Sequence, residues 1–552
     1  MKRFFSTLLA FALTLSLVSG IAYGANTNYS DLPESGWARE AILSAGEYGL
    51  MGGMGDGTFG VGRSMTRAEF VTVLVRMFGW SKAGGTDAFT DIGKSWARDD
   101  INTAAANGVL DAGGTFSPDT PITRREMAVM LVRALGYQTI AEGEAAKISL
   151  PFTDVSADKG YIAIAYDIGM INGVSATSFA PETTATREQA AAMMVRVYER
   201  KIAPTSFTHA FYAISSYSQL ELAKSFDAVS FGWSRMTCDP AAGPRLETTS
   251  AGGNEYAIPS GYEEPVQVLR DAGVKLHLSI FMNNTSGELA TMLANPDYRT
   301  AAIDAIMAEL NRNYEALGYN PYTGVTLDFE GLRSAQKDNY TQFITELDAR
   351  LTAAGKTLYV AAMPATSDGI YYDGYDYRAI GELADKVILM AHNYNTTSLE
   401  GFEGSTYYQN TALTPIGSVY YSLRAVCDGA TGVQDRSKVT LAISIASLAW
   451  ETDEEGLLTS PSPVYPTTAT IYSRLTGGAE MGWSDTYRNP YLRYTTESGQ
   501  HIFLWYEDQR SVAEKVALAK LFGITSVSVW RLGTIPNYSD AGIYYNVMAI
   551  LK

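Results

Sequence analysis

Metal-binding and redox-active residues are scarce in this sequence. Its 552 residues include only two cysteines and four histidines. Zinc sites in proteins are built mainly from these two residue types, so the composition argues against a dedicated zinc centre, and we expect no metal. The two cysteines, Cys238 and Cys427, lie far apart in the sequence. That separation leaves open both a disulfide bond and two free thiols.

Basic residues are outnumbered by acidic ones. The chain has 42 Lys and Arg against 59 Asp and Glu, which gives a formal net charge of −17. Such a chain is poorly suited to binding nucleic acid phosphates or anionic lipid through bulk charge, so we expect no nucleic acid partner. Hydrophobic residues make up 46% and charged residues 18%, a balance that excludes wholesale disorder. The 35 tyrosines and 8 tryptophans suit neutral, hydroxylated ligands such as sugars.

Long apolar runs are absent after the first 24 residues, so we expect no membrane span. The N-terminus itself begins with Lys2 and Arg3, which precede a short apolar run. Small residues, Ala22 and Gly24, then occupy the −3 and −1 positions of a cleavage site. This pattern is typical of a secretory signal peptide over residues 1–24. We therefore expect a secreted protein.

Three similar units follow, at residues 29–80, 89–137 and 152–200. Each opens with an aromatic-Ser/Thr-Asp triplet, continues to a glycine-rich turn that ends in Phe, and starts a second helix with a Thr-Arg pair. Thr is a good N-cap, and the acidic residue in the first turn suits the helix dipole. A single Thr-Arg pair is compatible with a cap beside a solvated charge. Three copies in register favour an anion site made from a guanidinium and free N–H groups.

These units resemble S-layer homology domains, which are small helical modules. The resemblance implies non-covalent attachment to a pyruvylated secondary cell-wall polysaccharide, and hence a location at the cell wall or S-layer. The positions that it assigns to polysaccharide binding are Arg67, Arg124, Arg187, Trp37 and Trp96. The third copy departs from the pattern, because Gly160 and Tyr161 stand where the other copies have Trp, and Gln189 stands where Glu is expected. We expect Arg67 and Arg124 to matter more than Arg187.

Residues 204–552 alternate strand-like apolar runs with helical stretches. Eight such runs with helices between them predict a C-terminal (β/α)8 barrel of the TIM type after the all-α repeats. The runs are residues 211–214, 227–233, 275–282, 324–329, 358–363, 386–391, 439–445 and 525–530. The interval from about 446 to 524 is longer than one helix requires, so it predicts a small inserted subdomain beside a cleft.

The fourth run ends in two carboxylates. Thr326, Asp328 and Glu330 share one face of a strand, and in a barrel that face points inward. Glu330 then falls at the C-terminal mouth, where active sites lie in such barrels. The proximity of two like charges should raise one pKa, as a general acid requires. From spacing alone, a structural salt bridge or a pair of surface carboxylates fits equally well.

The segment 324–330, Gly-Val-Thr-Leu-Asp-Phe-Glu, resembles the strand-four signature D-x-x-D-x-D-x-E of glycoside hydrolase family 18. The version in spore-cortex and peptidoglycan-acting bacterial members is especially similar, and the match covers most of residues 208–552. It implies that Glu330 is the catalytic proton donor and that Asp328 is its catalytic partner. Thr323 and Thr326 stand where the family has Asp.

Further positions follow from the same resemblance. His392 and Asn393 replace the Tyr and Asp that contact the substrate acetamido group on the sixth strand, and Trp530 matches the Trp that forms the floor of the −1 sugar site. The substrate-binding positions expected in this way are Trp530, His392, Asn393, Tyr394, Thr326, Met390 and Trp233. Because an unperturbed His titrates at about 6.5, we expect His392 to make activity depend on pH near neutrality.

The resemblance implies a retaining, substrate-assisted glycosidase that hydrolyses β-1,4 bonds of an N-acetylated glycan, peptidoglycan or chitin, without a cofactor. Retention of Glu330 and Asp328 favours an enzyme. The changes at Thr326, His392 and Asn393 favour the alternative, a non-catalytic carbohydrate-binding or structural wall protein on the same barrel. A protease or esterase is disfavoured because the sequence has no Gly-x-Ser-x-Gly.

Overall fold

The structure is a computed structural model that describes residues 28–367 and 373–551. The predicted signal peptide lies outside the described residues. The helices are α1 (Trp37–Glu47), α2 (Arg67–Phe78), α3 (Arg98–Ala106), α4 (Arg124–Ala134), α5 (Gln138–Glu142), α6 (Lys159–Asp167), α7 (Arg187–Ile202), α8 (Leu220–Ala223), α9 (Glu263–Asp271), α10 (Glu288–Ala294), α11 (Pro296–Asn311), α12 (Lys337–Ala353), α13 (Tyr377–Leu383), α14 (Ile416–Val426), α15 (Thr468–Thr476), α16 (Gln509–Leu521) and α17 (Met548–Leu551). The strands are β1 (Phe207–Tyr212), β2 (Ala228–Asp239), β3 (Gly243–Glu247), β4 (Lys275–Asn283), β5 (Gly324–Glu330), β6 (Thr357–Ala362), β7 (Lys386–Leu389), β8 (Val439–Ser444), β9 (Leu448–Thr452), β10 (Glu480–Ser484), β11 (Asn489–Thr495), β12 (His501–Trp505) and β13 (Ser526–Trp530).

The described chain divides into two compact units. The first contains residues up to 127 together with residues 182–196, and the second contains residues 128–181 and everything from 197 onwards. The chain therefore passes from one unit to the other three times, within α4, at residue 181 and within α7. The units do not coincide with the repeats, since the second and third repeats each contribute residues to both.

The opening aspartate of each repeat ties down the glycine-rich turn of the same repeat. Asp31 accepts a hydrogen bond from the backbone N–H of Phe59 at 2.7 Å, and Asp154 accepts one from Phe179 at 2.8 Å. Asp91 makes the equivalent bond in the second repeat. The bond from Phe179 helps to lower the pKa of Asp154 to about 2. The recurrence of Asp and Phe in each repeat thus has a structural cause.

A capping box begins the second helix of the repeats. The hydroxyl of Thr66 accepts a hydrogen bond from the N–H of Glu69, whose carboxylate accepts one from the N–H of Thr66 at 2.8 Å. Thr123 and Glu126 form the same reciprocal pair at α4. In the third repeat Gln189 takes the place of the Glu and accepts the backbone bond at 3.1 Å. The predicted all-helical character of the repeats is confirmed.

The predicted (β/α)8 barrel is also confirmed. All eight predicted strands are present, as β1, β2, β4, β5, β6, β7, β8 and β13, and they pair in parallel in the ring order β1-β13-β8-β7-β6-β5-β4-β2. Pairing of β1 with both β13 and β2 closes the ring. β3 extends the sheet as an antiparallel partner of β2 beyond the barrel wall.

A chain of hydroxyl and imidazole groups crosses the barrel interior. The two ring nitrogens of His209 each lie 2.7 Å from a serine hydroxyl, one of which belongs to Ser230. The Ser230 hydroxyl lies 2.6 Å from that of Thr326, which is 3.3 Å from Nδ1 of His277. All of these side chains are fully buried. Burial lowers the pKa of both imidazoles to about 3, so they are neutral.

The predicted inserted subdomain is present between β8 and α16. Its core is a four-stranded antiparallel sheet in the order β10-β11-β12-β9, accompanied by α15. Trp450 and Trp505 pack on one face of this sheet, and Leu492 and Leu504 pack on the other. Because the sheet is covered on both sides, it forms a second hydrophobic core beside the barrel.

A buried ion pair follows the subdomain. The ammonium of Lys515 on α16 lies 2.7 Å from the carboxylate of Glu507, and both side chains are almost wholly inaccessible to solvent. Glu507 also accepts hydrogen bonds from Ser511 at 2.6 Å and from the amide of Asn489 on β11 at 2.7 Å. The pair therefore connects a barrel helix with the sheet of the subdomain.

Part of the third repeat packs on the barrel. Asp167 at the end of α6 accepts a hydrogen bond from the hydroxyl of Tyr420 at 2.6 Å, and it lies 3.1 Å from Nε of Arg424. Both partners belong to α14. Arg488 of the subdomain donates to the carbonyl of Gly136 at 2.5 Å. Burial raises the pKa of Asp167 to about 6 despite the neighbouring Arg424.

Both cysteines are free thiols, so the question left open by the sequence is answered against a disulfide. Each is buried, and burial raises the pKa of Cys427 to about 11. Within residues 28–367 and 373–551, no helix combines the length and the apolar character needed to cross a membrane.

Candidate functional site

Strand β5 places two carboxyl groups at the mouth of the barrel. In the parallel register Asp328 lies beside Phe281 of β4, and Glu330 lies beside Asn283. Asp328 is 6% exposed, and its Oδ1 has no hydrogen-bond partner among the described residues. Glu330 is the last residue of the strand and is partly exposed. A strand that is otherwise almost entirely apolar thus carries two neighbouring acids on one face.

Burial raises the pKa of both carboxyl groups, and the adjacent Glu330 raises that of Asp328 further. Two neighbouring carboxyls in a medium of low dielectric constant do not both ionise easily. The pair therefore retains a proton at a pH where ordinary carboxyl groups have lost theirs. A group that acts as a general acid near neutral pH requires this property.

A cavity of about 390 Å³ opens beside Asp328. Trp530 at the end of β13 is 38% exposed and meets Phe211 edge to face, with ring centroids 5.2 Å apart. Tyr256, from the loop after β3, stacks on Phe281 of β4 with centroids 4.7 Å apart. Exposed aromatic faces beside a few polar groups are typical of small-molecule sites, and aromatic faces suit the apolar faces of sugar rings.

The cavity brings together two of the predicted residues, Asp328 and Trp530. Glu330 follows Asp328 by two register pairs, at the end of the strand, and is not among the residues that line the cavity. Trp233 is fully buried, stacked on Phe231 with centroids 3.9 Å apart. Thr326 is fully buried in the hydroxyl and imidazole chain. Trp233 and Thr326, both expected to contact substrate, therefore lie in the barrel interior and not in the cavity lining.

The segment after β7 holds the other predicted substrate contacts. Met390 is buried, and the hydroxyl of Tyr394 lies 2.7 Å from that of Ser422. Asn393 is exposed and adopts a left-handed backbone conformation with φ of 57°, which Asn tolerates better than most residues. None of these side chains, nor that of His392, lines the cavity beside Asp328.

The titration of His392 differs from the expectation. Burial lowers the pKa of His392 to about 4, and its Nδ1 has no hydrogen-bond partner among the described residues. The imidazole is therefore neutral above about pH 5, and the expected dependence near 6.5 is corrected. We expect the His392→Phe variant to keep the wild-type pH dependence of kcat/KM between about pH 5.5 and about pH 8. If the wild-type pH profile shows a titration near 6.5 that the variant lacks, this expectation is wrong.

Most of the residues that line the cavity were not predicted, among them Tyr256, Phe281 and Arg531. Phe281 and Ser279 lie two residues apart on one face of β4, a period-2 signal that the sequence does carry. Tyr256 belongs to an irregular loop and has no periodic signal. Arg531 follows the last barrel strand, where alternation no longer determines the direction of a side chain.

A second concave site, of about 410 Å³, belongs to the first compact unit. Trp96 lines this groove and is 64% exposed. Three arginines, Arg63, Arg76 and Arg187, lie in the same lining. Trp37 is also exposed but lies outside this groove. Two acids, Glu69 and Asp119, also line the groove, so it combines an exposed indole with a small excess of positive charge.

The predicted arginines also join neighbouring repeats. Nε of Arg187 donates to the carbonyl of Phe59 at 2.8 Å, and its Nη1 lies 3.0 Å from the carboxylate of Glu69. Arg67 makes the equivalent contacts with the second repeat. Its Nε donates to the carbonyl of Phe116 at 2.8 Å, and its Nη1 pairs with the carboxylate of Glu126. Arg124, the third predicted position, begins α4. Arg187 and Arg67 thus have a structural role between repeats.

The third repeat lacks an exposed indole for a packing reason. Gly160 lies so close to α5 that a Cβ atom there would come within 1.8 Å of the carbonyl oxygen of Ala141. Tyr161 is buried and donates a hydrogen bond to Glu142 at 2.8 Å. Helix α5 therefore covers the position that Trp37 and Trp96 leave open in the other copies.

Comparison with known proteins gives two family matches. The model of glycosyl hydrolases family 18 matches residues 184–534, more than half of the chain, and the model of the S-layer homology domain matches residues 28–71, 88–128 and 151–191.

Similar individual proteins include two cortical fragment-lytic enzymes. That of Bacillus subtilis is 27% identical over 251 residues, which are 45% of this chain and 54% of that protein. That of Bacillus anthracis is 24% identical over 281 residues, which are 49% of this chain and 61% of that protein. The crystal structure of a chitinase from Chromobacterium violaceum is 18% identical, with a TM-score of 0.48 over 62% of this chain and 98% of that one. The chain spans little more than half the length of the curated relatives it matches. By its family match, the chain belongs to glycosyl hydrolases family 18 and carries three S-layer homology domains in its N-terminal part.

Proposed function

We propose that this protein is a cell-wall-anchored glycosidase that hydrolyses β-1,4 bonds of N-acetylated glycans with retention of configuration. The observation that carries the proposal is the pair Asp328 and Glu330 on one face of β5, at the barrel mouth and with raised pKa values. The relatives are named for the lysis of cortical fragments, which supports a hydrolytic activity on wall material.

In the proposed mechanism Glu330 protonates the glycosidic oxygen as the bond to the anomeric carbon breaks. The acetamido oxygen of the substrate attacks that carbon and forms an oxazolinium ion, which Asp328 orients and stabilises. Glu330, now ionised, removes a proton from the water that opens the ring. The exposed face of Trp530 supports the sugar during both steps. The partial exposure of Glu330 at the strand end leaves room for a leaving group.

The proposal is tested by incubating the full chain with purified peptidoglycan and with chitin oligomers, followed by mass analysis of the released ends. New reducing ends on N-acetylated sugars, released first in the β configuration, are expected. A protein that binds these glycans but releases no ends would instead be the non-catalytic wall protein that the changes at Thr326, His392 and Asn393 favour.

We further infer that the N-terminal repeats attach the chain to a secondary polysaccharide of the cell wall. The S-layer homology domains indicate attachment at the cell surface. The groove lined by Trp96 and three arginines supports an acidic sugar polymer as the ligand, because indole stacks on sugar rings and guanidinium binds carboxylates. An overall acidic chain can bind a polyanion through such a local site.

Replacing Trp96 by alanine should weaken binding of the full chain to purified cell walls by about tenfold, the scale for losing a central aromatic contact. The fold should be unaffected because the side chain is mostly exposed. Sedimentation with walls measures the binding, and Tyr465→Ala, an exposed aromatic of the subdomain, is the matched control. Equal binding to walls whose secondary polysaccharide has been extracted would show that the inferred ligand is wrong.

A further inference from the structure

Arg531 carries a positive charge into the cavity that contains Asp328 and Trp530. Its Nη1 donates to the hydroxyl of Ser215 at 2.6 Å and makes a longer contact with the carbonyl of Leu532 at 3.4 Å. Both partners are neutral. Its Nε and Nη2 have no hydrogen-bond partner among the described residues, and no described acid forms an ion pair with it. Part of the guanidinium fork is thus available to a ligand.

No described acidic side chain neutralises the positive charge of Arg531. Burial lowers the pKa of Arg531, and no acidic neighbour offsets that effect. Asp328 has a strongly raised pKa and is the buried acid of the cavity. Glu255 also lines the cavity, but it is exposed and forms no ion pair with Arg531. Among the described residues of the lining, Arg531 is the only cation, and a partly desolvated cation without a counter-ion favours an anionic ligand.

We propose that Arg531 binds a carboxylate of the substrate, and hence that the preferred substrate is an N-acetylated glycan with carboxylate substituents rather than neutral chitin. The lactyl ether of muramic acid in peptidoglycan strands has this chemistry. A guanidinium fork binds a carboxylate through two parallel hydrogen bonds, which gives orientation as well as affinity. The proposal rests on the proposed function, because it assigns a substrate class to the same cavity.

Three substrates separate the carboxylate from the rest of the glycan. They are peptidoglycan strands freed of peptide, which expose lactyl carboxylates, the same strands after reduction of those carboxylates to alcohols, and chitin oligomers. The full chain should show a kcat/KM about 10- to 100-fold higher on the carboxylate strands than on the reduced strands, the scale of a charge-assisted hydrogen bond. Added salt should diminish this preference.

The variant Arg531→Gln should lose the preference, with kcat/KM falling about 10- to 100-fold on carboxylate strands and changing less than about threefold on reduced strands and chitin. Arg531→Lys should retain part of it, because the charge stays while the fork is lost. Arg350→Gln, which removes an exposed arginine on α12, is the matched control. Unchanged activity on the neutral substrates shows that the fold of the variant is intact.

If Arg531→Gln keeps the wild-type preference, the assignment of Arg531 is overturned while the glycosidase proposal stands. If the parent protein cleaves none of the three substrates, the glycosidase proposal fails, and equilibrium binding of the same strands decides the role of Arg531. A preference for carboxylate strands that disappears in Arg531→Gln would still support the inference in that case, and equal binding by both proteins would overturn it.

Discussion

Replacing Glu330 by glutamine should lower the hydrolysis rate by roughly 10²–10⁴-fold, the usual scale for the loss of a general acid. Glutamine keeps the size and polarity of the side chain, but its amide has no acidic proton to give to the glycosidic oxygen. Glu330 ends β5 on the same face as Asp328 and is partly exposed, so the change should not disturb packing. Binding of the glycan should survive, because Trp530 and the aromatic walls of the cavity are untouched.

The measurement is kcat on whichever N-acetylated glycan the parent cleaves, together with equilibrium binding of the same glycan. Glu255→Gln is the matched control, since it removes another acid from the edge of the same cavity and should change kcat only a few-fold. Asp328→Asn should also slow the reaction, because the amide can neither ionise nor share a proton with Glu330 as the carboxyl group does. Wild-type turnover in Glu330→Gln would refute the catalytic assignment.

The second large effect concerns stability. Lys515→Met should lower the free energy of unfolding by about 3–5 kcal/mol, because removal of one partner leaves the other charge buried and uncompensated. Glu507 would still accept hydrogen bonds from Ser511 and Asn489, but its charge would have no counter-ion. Lys515 and Glu507 are both almost wholly buried, so solvent would not screen the charge that remains on Glu507.

Urea denaturation followed by tryptophan fluorescence measures this change. Lys147→Met is the matched control, because Lys147 pairs with Glu144 on the surface, where an ion pair contributes about 0–1 kcal/mol. The double variant Lys515→Met, Glu507→Gln should recover much of the stability, since no charge then remains in the pocket. Equal destabilisation by the Lys515 and Lys147 variants would contradict the account.

The architecture was predictable because hydrophobic periodicity reports secondary structure directly. The eight apolar runs became the eight barrel strands, and the repeated Asp and Phe positions became hydrogen-bonded pairs such as Asp31 and Phe59. Alternation along β5 also placed Asp328 and Glu330 on one face. These features depend on interactions that are local in sequence or on repetition, both of which a single sequence displays.

Features that depend on three-dimensional surroundings were not predictable. The pKa of His392 follows from its burial, and the burial of Trp233 follows from packing against Phe231. Tyr256 reaches the cavity from an irregular loop, and Arg531 does so from beyond a strand end. Neither residue belongs to a strand or helix whose periodicity would predict the direction of its side chain. The lining of a cavity is thus the part of a site that sequence pattern describes least well.

The threefold passage of the chain between its two compact units restricts how such a protein can arise by genetic recombination. A single crossover exchanges everything on one side of one point in the gene. Any such point would split at least one unit, because residues 128–181 pack with the barrel while residues 182–196 return to the first unit. Exchange of the repeats by one crossover would therefore interrupt contacts within at least one of the units. A homologous anchor can replace this one only if the replacement carries its own complete third repeat, with a surface that fits Tyr420 and Arg424.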